Sequence, residues 1–368
     1  MRYVNFYFEI HQPVRIRPLR FTDPDSGELF WDDYNRKVFE RAADKCYIPT
    51  TRLLLENEFV SSMSITGTFL EQAEMYRPEV IDLLREYFRS GLGEVICETY
   101  YHSLSSIWDY GEFEFQVNML RRKIRELFGV SPSAFRNTEL IYSDAISEQV
   151  KKMGFRTILA EGRDDLLNGN LPNSLFQAAS GINLLMRNYR LSDDISFRFS
   201  NWTWEGFPLT ADKYAGWVSS SPGEVVNVFM DYETFGEHQW PETGIFQFMK
   251  RLPIEFGMRN VKMVNVSEAA QNLKSRGIIR SPNYTSWADI PRDLSAWLGN
   301  SMQVESFERM KSLRDTEYKD AWRHLQTSDH LYYMALGRPE DIEVHGYFSP
   351  YESPYHAFMH YMAALDRL

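Results

Sequence analysis

Short apolar runs alternate with longer amphipathic stretches along most of this chain, and that alternation limits its fold more than any other feature. Runs of strand length occupy residues 3–8, 59–65, 94–97, 134–135, 157–160 and 225–230, with 261–266 the last. Helical spacing fills the gaps. In 78–90 the apolar positions are Val80, Leu83, Leu84, Tyr87 and Phe88, with Pro78 near the start and Gly91 just past the end. Residues 114–128 carry a stripe of Val117, Leu120, Ile124, Leu127 and Phe128, and the helix predicted over 143–153 stops at Gly154. Strands that alternate with helices of this length form βα units around a parallel sheet. About six or seven such units point to closure into a barrel rather than a short open sheet. Two regions break the rhythm. Residues 162–222, rich in Asn, Ser, Asp and Gly, read as long inserted loops. Beyond about 267 the strands stop and helices are expected over 268–276, 293–313, 317–335 and 354–368. The predicted organisation is a catalytic barrel over 1–267 and a helical region over 268–368 packed on it.

A chain of 368 residues suits one large domain, or a large domain with a small one. The net charge of −11 argues against a general nucleic-acid binder, which needs a basic face. Two cysteines, Cys46 and Cys97, rule out a disulfide framework and a cysteine-based zinc site. The first residues carry no secretory signal pattern, and no apolar run is long enough to span a bilayer. A cytoplasmic protein without membrane partners is therefore expected. Aromatic residues make up 15% of the chain, and any surplus lining a groove would suit the flat apolar faces of sugar rings.

Parallel α/β folds carry function at the C-terminal ends of their strands. The first strand is followed by His11-Gln12-Pro13, the third by Glu98 to His102, the fourth by Asn137-Thr138-Glu139, and the 225–230 run by Asp231 to His238. Acids and histidines thus recur at four strand ends, and a barrel would gather them at one mouth. Glycoside hydrolysis needs two carboxylates across a cleft. Glu139 and Asp231 are the best pair by position, although any one strand-end acid is as readily a helix cap or an ion-pair partner.

Several blocks together resemble glycoside hydrolase family 57: His11-Gln12-Pro13, Gly93-Glu94 followed by His102, Phe135 to Leu140, and Met230 to His238. Trp297 to Gln303 is similar to that family's fifth conserved region in its α-amylase branch. The resemblance implies an incomplete TIM-like (β/α)7 barrel followed by a helical region, and retaining chemistry on α-1,4-glucans or maltooligosaccharides with no metal or other cofactor. It implies Glu139 as nucleophile and Asp231 as general acid/base; Glu233, two residues on and so on the same face of an extended strand, is a lesser candidate for the second role. A 4-α-glucanotransferase would use the same residues, and a non-catalytic glucan-binding protein or a metal-dependent carbohydrate esterase are rivals from other classes. The compact length makes a branching enzyme the weaker alternative.

Further candidates for substrate binding are His11, Glu94 and His102, which hold sugar hydroxyls or orient carboxylates in this reading. Among Trp202, Trp204, Trp217, Trp240 and Trp287, the best stacking candidates are those in 200–217, because loops around a barrel mouth carry recognition; Trp287 is also retained. Asp329 resembles a block that reaches the cleft in the family, with a helix N-cap as the competing role. Asn300 and Gln303 are either caps or substrate contacts.

Overall fold

The computed structural model describes residues 1–22, 28–337 and 349–368. Its strands are β1 (Arg2–Ile10), β2 (Ser61–Ile65), β3 (Gly93–Ile96), β4 (Ala134–Arg136) and β5 (Thr157–Glu161), then β6 (Leu175–Ala178), β7 (Asn183–Arg187), β8 (Val225–Asp231), β9 (Val261–Met263) and β10 (Ile278–Ile279). Strand β1 shows how the sequence makes two layers. Side chains alternate across a strand, so Val4, Phe6, Phe8 and Ile10 share one face and Asn5, Tyr7 and Glu9 the other. The first set belongs to the large core beneath the helices. Tyr7 belongs to a second core with Ile96, Leu159, Leu185 and Phe229, on the inner face of the strands. The Tyr7 and Phe229 rings meet edge to face at 5.4 Å. Each large apolar side chain so buried contributes on the order of 1.5–3 kcal/mol.

Parallel pairing orders one sheet β3-β2-β1-β8, with β9 beside the start of β1. The other runs β10-β6-β7-β5-β4, in which β6 alone is antiparallel to its β7 neighbour. The sheets meet at Cys97, which bridges Phe135; its N–H donates to the Ala134 carbonyl at 3.0 Å and its carbonyl accepts from Arg136 at 2.9 Å. Seven parallel strands therefore follow in the order β8-β1-β2-β3-β4-β5-β7. Among the described residues no ladder joins β7 to β8. Instead Asn188 N–H donates to the Asn227 carbonyl at 2.8 Å, Asn227 Nδ2 to the Met186 carbonyl at 3.0 Å, and Arg187 Nε to the Phe229 carbonyl at 2.8 Å. This is the α/β arrangement that the strand rhythm predicts.

The expectation for 162–222 needs correction. That stretch holds β6, β7 and the helices Tyr189–Ser196 and Ala211–Ser220, and β7 is one of the seven parallel strands. Its Asn-Leu-Leu-Met-Arg sequence is short and flanked by polar turns, which hid it among loop residues. Strands also do not stop at 267, because β10 adds to β6. The helix expected over 293–313 breaks into Ser295–Leu298 and Ser301–Ser312 at a capping box between Asn300 and Gln303, so these two residues are caps. The helix expected over 317–335 breaks into Lys319–His324 and Ser328–Tyr332. Among the described residues no helix is long and apolar enough to cross a membrane.

Candidate active site

The alternation that puts Tyr7 on the inner face also puts a charge at the last inner position of most strands: Glu9 on β1, Arg136 on β4, Glu161 on β5, Arg187 on β7 and Asp231 on β8. Register then pairs them. Glu9 stands opposite Asp231 and Glu161 opposite Arg187, and the second pair forms a buried ion pair of 3.0 Å. A cavity of about 750 Å³ opens at this end of the strands, lined by His11, His102, Glu139, Asp231, Glu233, Trp287 and Asp329 among others. Its size is that of a small-molecule cleft.

Glu139 follows β4 in a single 3-10 turn, in the left-handed region at φ 56° and ψ 28°. His102 is left-handed too, at φ 51°. Such a conformation costs a non-glycine residue on the order of 1–3 kcal/mol and persists where surrounding contacts hold it. The contacts here are specific. His102 Nε2 bonds Glu139 Oε1 at 3.0 Å, and Trp287 Nε1–H donates to Glu139 Oε2 at 2.6 Å. The other nitrogen of His102, Nδ1, faces Glu98 Oε2 at 2.9 Å and Glu9 Oε1 at 3.6 Å. A ring with a carboxylate at each nitrogen is a cation. Burial alone would lower the His102 pKa, but the bonds and charges of Glu139 and Glu98 raise it well above the ordinary value. Burial likewise pushes Glu139 up, yet His102, Arg136 and the Trp287 donor outweigh it, and the carboxyl sits below its ordinary value. Arg136 is fully buried beneath, 3.1 Å from Glu9 Oε2, with its guanidinium 4.7 Å from the Trp287 ring. Trp287 is therefore gripped between Glu139 and cations.

Asp231 has the opposite fate. Burial first, then the charges of Glu139 and Glu9, raise its pKa to about 7 against the pull of Arg136 and Arg187. Glu233 lies on the turn after β8, accepts the Tyr47 hydroxyl at 2.6 Å, and is raised to about 8, chiefly by burial. The loop beyond depends on Gly236. Its φ is 106°, and a Cβ there would lie 2.0 Å from the Lys45 carbonyl oxygen, so only glycine lets the loop rest on that backbone.

His11 stacks on His102 with ring centres 4.1 Å apart. Burial and the neighbouring cation lower its pKa. Its Nε2 lies 3.0 Å from Asp329 Oδ2 and its Nδ1 2.9 Å from the Thr66 hydroxyl. Asp329 is depressed despite its burial. The His11 ring that bonds it is the main cause, by its charge interaction and its hydrogen bond, with His102 and His330 behind it. Asp329 reaches the cavity because Ser328 N–H donates to the His102 carbonyl at 2.9 Å, docking the short helix Ser328–Tyr332 on the strand ends.

Three expected site residues lie elsewhere. Glu94 is at the opposite, N-terminal end of β3, where it accepts from Ser62 Oγ at 2.9 Å, Ser267 N–H at 3.0 Å and Ser267 Oγ. It fastens a helix start to the strands and does not line the cavity. Trp204 and Trp217 pack edge to face, 6.0 Å apart, and do not line it either. Trp217 sits on the helix Ala211–Ser220, which places it on that helix's contact with its own preceding loop. Glu9 was missed, although it was visible as the lone charge ending the inner face of β1, and Glu98 was noted after the third strand but given no role. Trp240 does line the cavity. Among the described residues, two groups could offer metal-ligand atoms within 4.8 Å: His11, His102 and Asp329; and Glu9, Glu98 and His102. Both depend on His102, so an ion in either would have to displace a proton from one of that ring's nitrogens.

A family model described as glycosyl hydrolase family 57 matches residues 5–282. A Methanocaldococcus jannaschii protein described as "Putative alpha-amylase" is 44% identical over 391 residues, spanning 98% of this chain and 83% of that protein. The 4-α-glucanotransferase of Thermococcus litoralis is 23% identical over 294 residues, 77% of this chain but 41% of the relative. Among solved structures, a family 57 branching enzyme from Thermococcus kodakaraensis superposes with a TM-score of 0.68 at 12% identity, covering 92% of this chain and 87% of that one.

Proposed function

Because the chain belongs to glycosyl hydrolase family 57, we propose that it is an α-amylase-like hydrolase of α-1,4-glucans that acts with retention through Glu139 and Asp231. The observation that carries the reading is the opposed protonation of two carboxylates in one cavity. Glu139 is held as an anion by His102, Arg136 and Trp287, and Asp231 keeps its proton to about pH 7. Paired acids whose environments separate their pKa values are the usual division between nucleophile and acid.

In this mechanism a Glu139 oxygen attacks the anomeric carbon while Asp231 gives its proton to the departing glycosidic oxygen. The C1–O bond to the leaving chain breaks as the bond to Glu139 forms. Asp231, now a carboxylate, takes a proton from water, and the resulting hydroxyl displaces Glu139 from C1. Two inversions give net retention. His102 and Trp287 hold Glu139 in place and stay bonded to it as its charge falls and returns. Asp329, held in place by the His11 ring, offers acceptor oxygens for sugar hydroxyls.

Transfer to a second glucan instead of water is the second reading, favoured by the similarity to a 4-α-glucanotransferase. Only the acceptor differs. Maltoheptaose incubated with wild type and Glu139→Gln, with products resolved by mass, separates the cases. Shorter products alone, absent from the variant, are expected. Products both shorter and longer would establish transfer. No turnover by wild type, or an active Glu139→Gln, would refute the assignment.

A further inference from the structure

We infer that Trp240 and Phe197 form a stacking subsite at the rim of the cleft, for glucose rings of a long α-glucan remote from the bond being cleaved. The inference deepens the reading above and rests on it. Both residues line the cavity, yet Trp240 is 59% and Phe197 64% exposed. Large aromatic surface left in water at the edge of a cleft is free to receive an apolar ligand face. Trp202 is more exposed at 79%, but it does not line the cavity.

The indole is held in place, and the two segments that carry the rings are tied together. Trp240 Nε1–H donates to the Glu237 carbonyl at 3.1 Å, which fixes the indole plane. Gln239 Nε2 donates to the Ser196 carbonyl at 2.9 Å, so the residue before each aromatic is tied to the other's loop. A pre-set surface binds without the entropy loss of ordering it. Charged groups border the indole. Lys45 lies 5.6 Å from its ring centre, and Glu237 pairs with Arg41 at 2.6 Å and with Lys45 at 3.9 Å. A pyranose ring presents a C–H face encircled by hydroxyls. A flat apolar surface edged with fixed donors and acceptors matches it, whereas a purely apolar partner would strip water from those charged groups and offer no hydrogen bonds in return. Trp240 also lies on the segment that follows Asp231, and both residues line the same cavity.

The test compares kcat/KM for maltoheptaose and maltotriose in wild type, Trp240→Ala, Trp240→Phe and Phe197→Ala. Loss of one stacking contact is expected to lower the heptaose-to-triose ratio about five- to tenfold in Trp240→Ala. The change should fall mainly on KM, and Trp240→Phe should recover much of it. An unchanged ratio overturns the proposal. So does a change of oligomeric state in Trp240→Ala with the ratio intact, which would make the patch a contact between copies. Calorimetry of maltoheptaose binding keeps the subsite testable apart from the activity. If wild type binds the sugar without turnover and Trp240→Ala binds about five- to tenfold more weakly, the hydrolase reading fails and the subsite stands. If wild type neither binds nor cleaves it, both fail.

Discussion

Replacing Trp287 with Phe removes a single hydrogen-bond donor from the site and keeps a ring beside the arginines. In wild type its Nε1–H meets Glu139 Oε2 at 2.6 Å. A hydrogen bond to an ionised group contributes about 1.5–3 kcal/mol, and about 1.36 kcal/mol corresponds to one pKa unit. Losing the donor therefore raises the Glu139 pKa by roughly 1–2 units at most, and water entering the gap recovers part of that. Glu139 must be ionised to attack. Its acid limb in wild type lies below the ordinary 4.5 because His102, Arg136 and Trp287 overcome burial. In Trp287→Phe the acid limb of kcat/KM against pH should move up by about one unit. The basic limb reports Asp231, which must be protonated and is raised to about 7. Glu139 is an anion there in both proteins, so that limb should stay in place. The pH profile with an aryl maltooligoside separates this from general damage. A variant slower by the same factor at every pH, with its acid limb unmoved, would refute the claim that Trp287 holds the nucleophile ionised.

Azide should restore turnover of an aryl maltooligoside by Asp231→Ala and give the α-glycosyl azide, because the glycosyl-enzyme still forms and azide needs no base; a β-azide, or rescue of Glu233→Ala instead, would move the acid/base role. Glu233→Gln should raise the melting temperature at pH 8 by more than at pH 5. The sign follows from its raised pKa of about 8: between the ordinary 4.5 and 8 the folded state keeps a proton that the unfolded chain releases, so stability falls as pH rises through that window. An equal effect at both pH values would contradict it. Glu94→Gln should leave kcat/KM within about twofold, because its partners Ser62 and Ser267 are at the far end of β3; a tenfold loss with the fold intact would return Glu94 to the site.

Much of this was legible in the sequence because both the fold and the site rest on short-range patterns. The two-residue alternation of Tyr-Val-Asn-Phe-Tyr-Phe-Glu and the helical stripe of 78–90 need no tertiary information. The strand-end positions of Glu139 and Asp231 were legible for the same reason, but only the resemblance to the family's blocks singled these two out from other strand-end acids. What failed depended on contacts across the chain. Strand β7 is held by β5 and by the Asn188–Asn227 bond, so its short sequence reads as loop. Glu94 and Glu98 are four residues apart near β3, and only the sheet register shows that one faces each end. The tryptophans were ranked by loop membership, but which indole meets the cavity is set by partners such as Glu139 for Trp287 and Glu237 for Trp240. The expected boundary at 267 also leaves Trp287 and Asp329, from its C-terminal side, lining a cavity with residues from the strands.

The central claim is that Glu139 becomes covalently glycosylated. The direct measurement is to incubate the protein with 5-fluoro-α-glucosyl fluoride, digest it, and locate the label by mass spectrometry. A single glycosyl adduct on Glu139, absent after competition with maltoheptaose, is the expected result. An adduct on Asp231 or Glu233, or no adduct in a protein that hydrolyses maltoheptaose, would contradict the account.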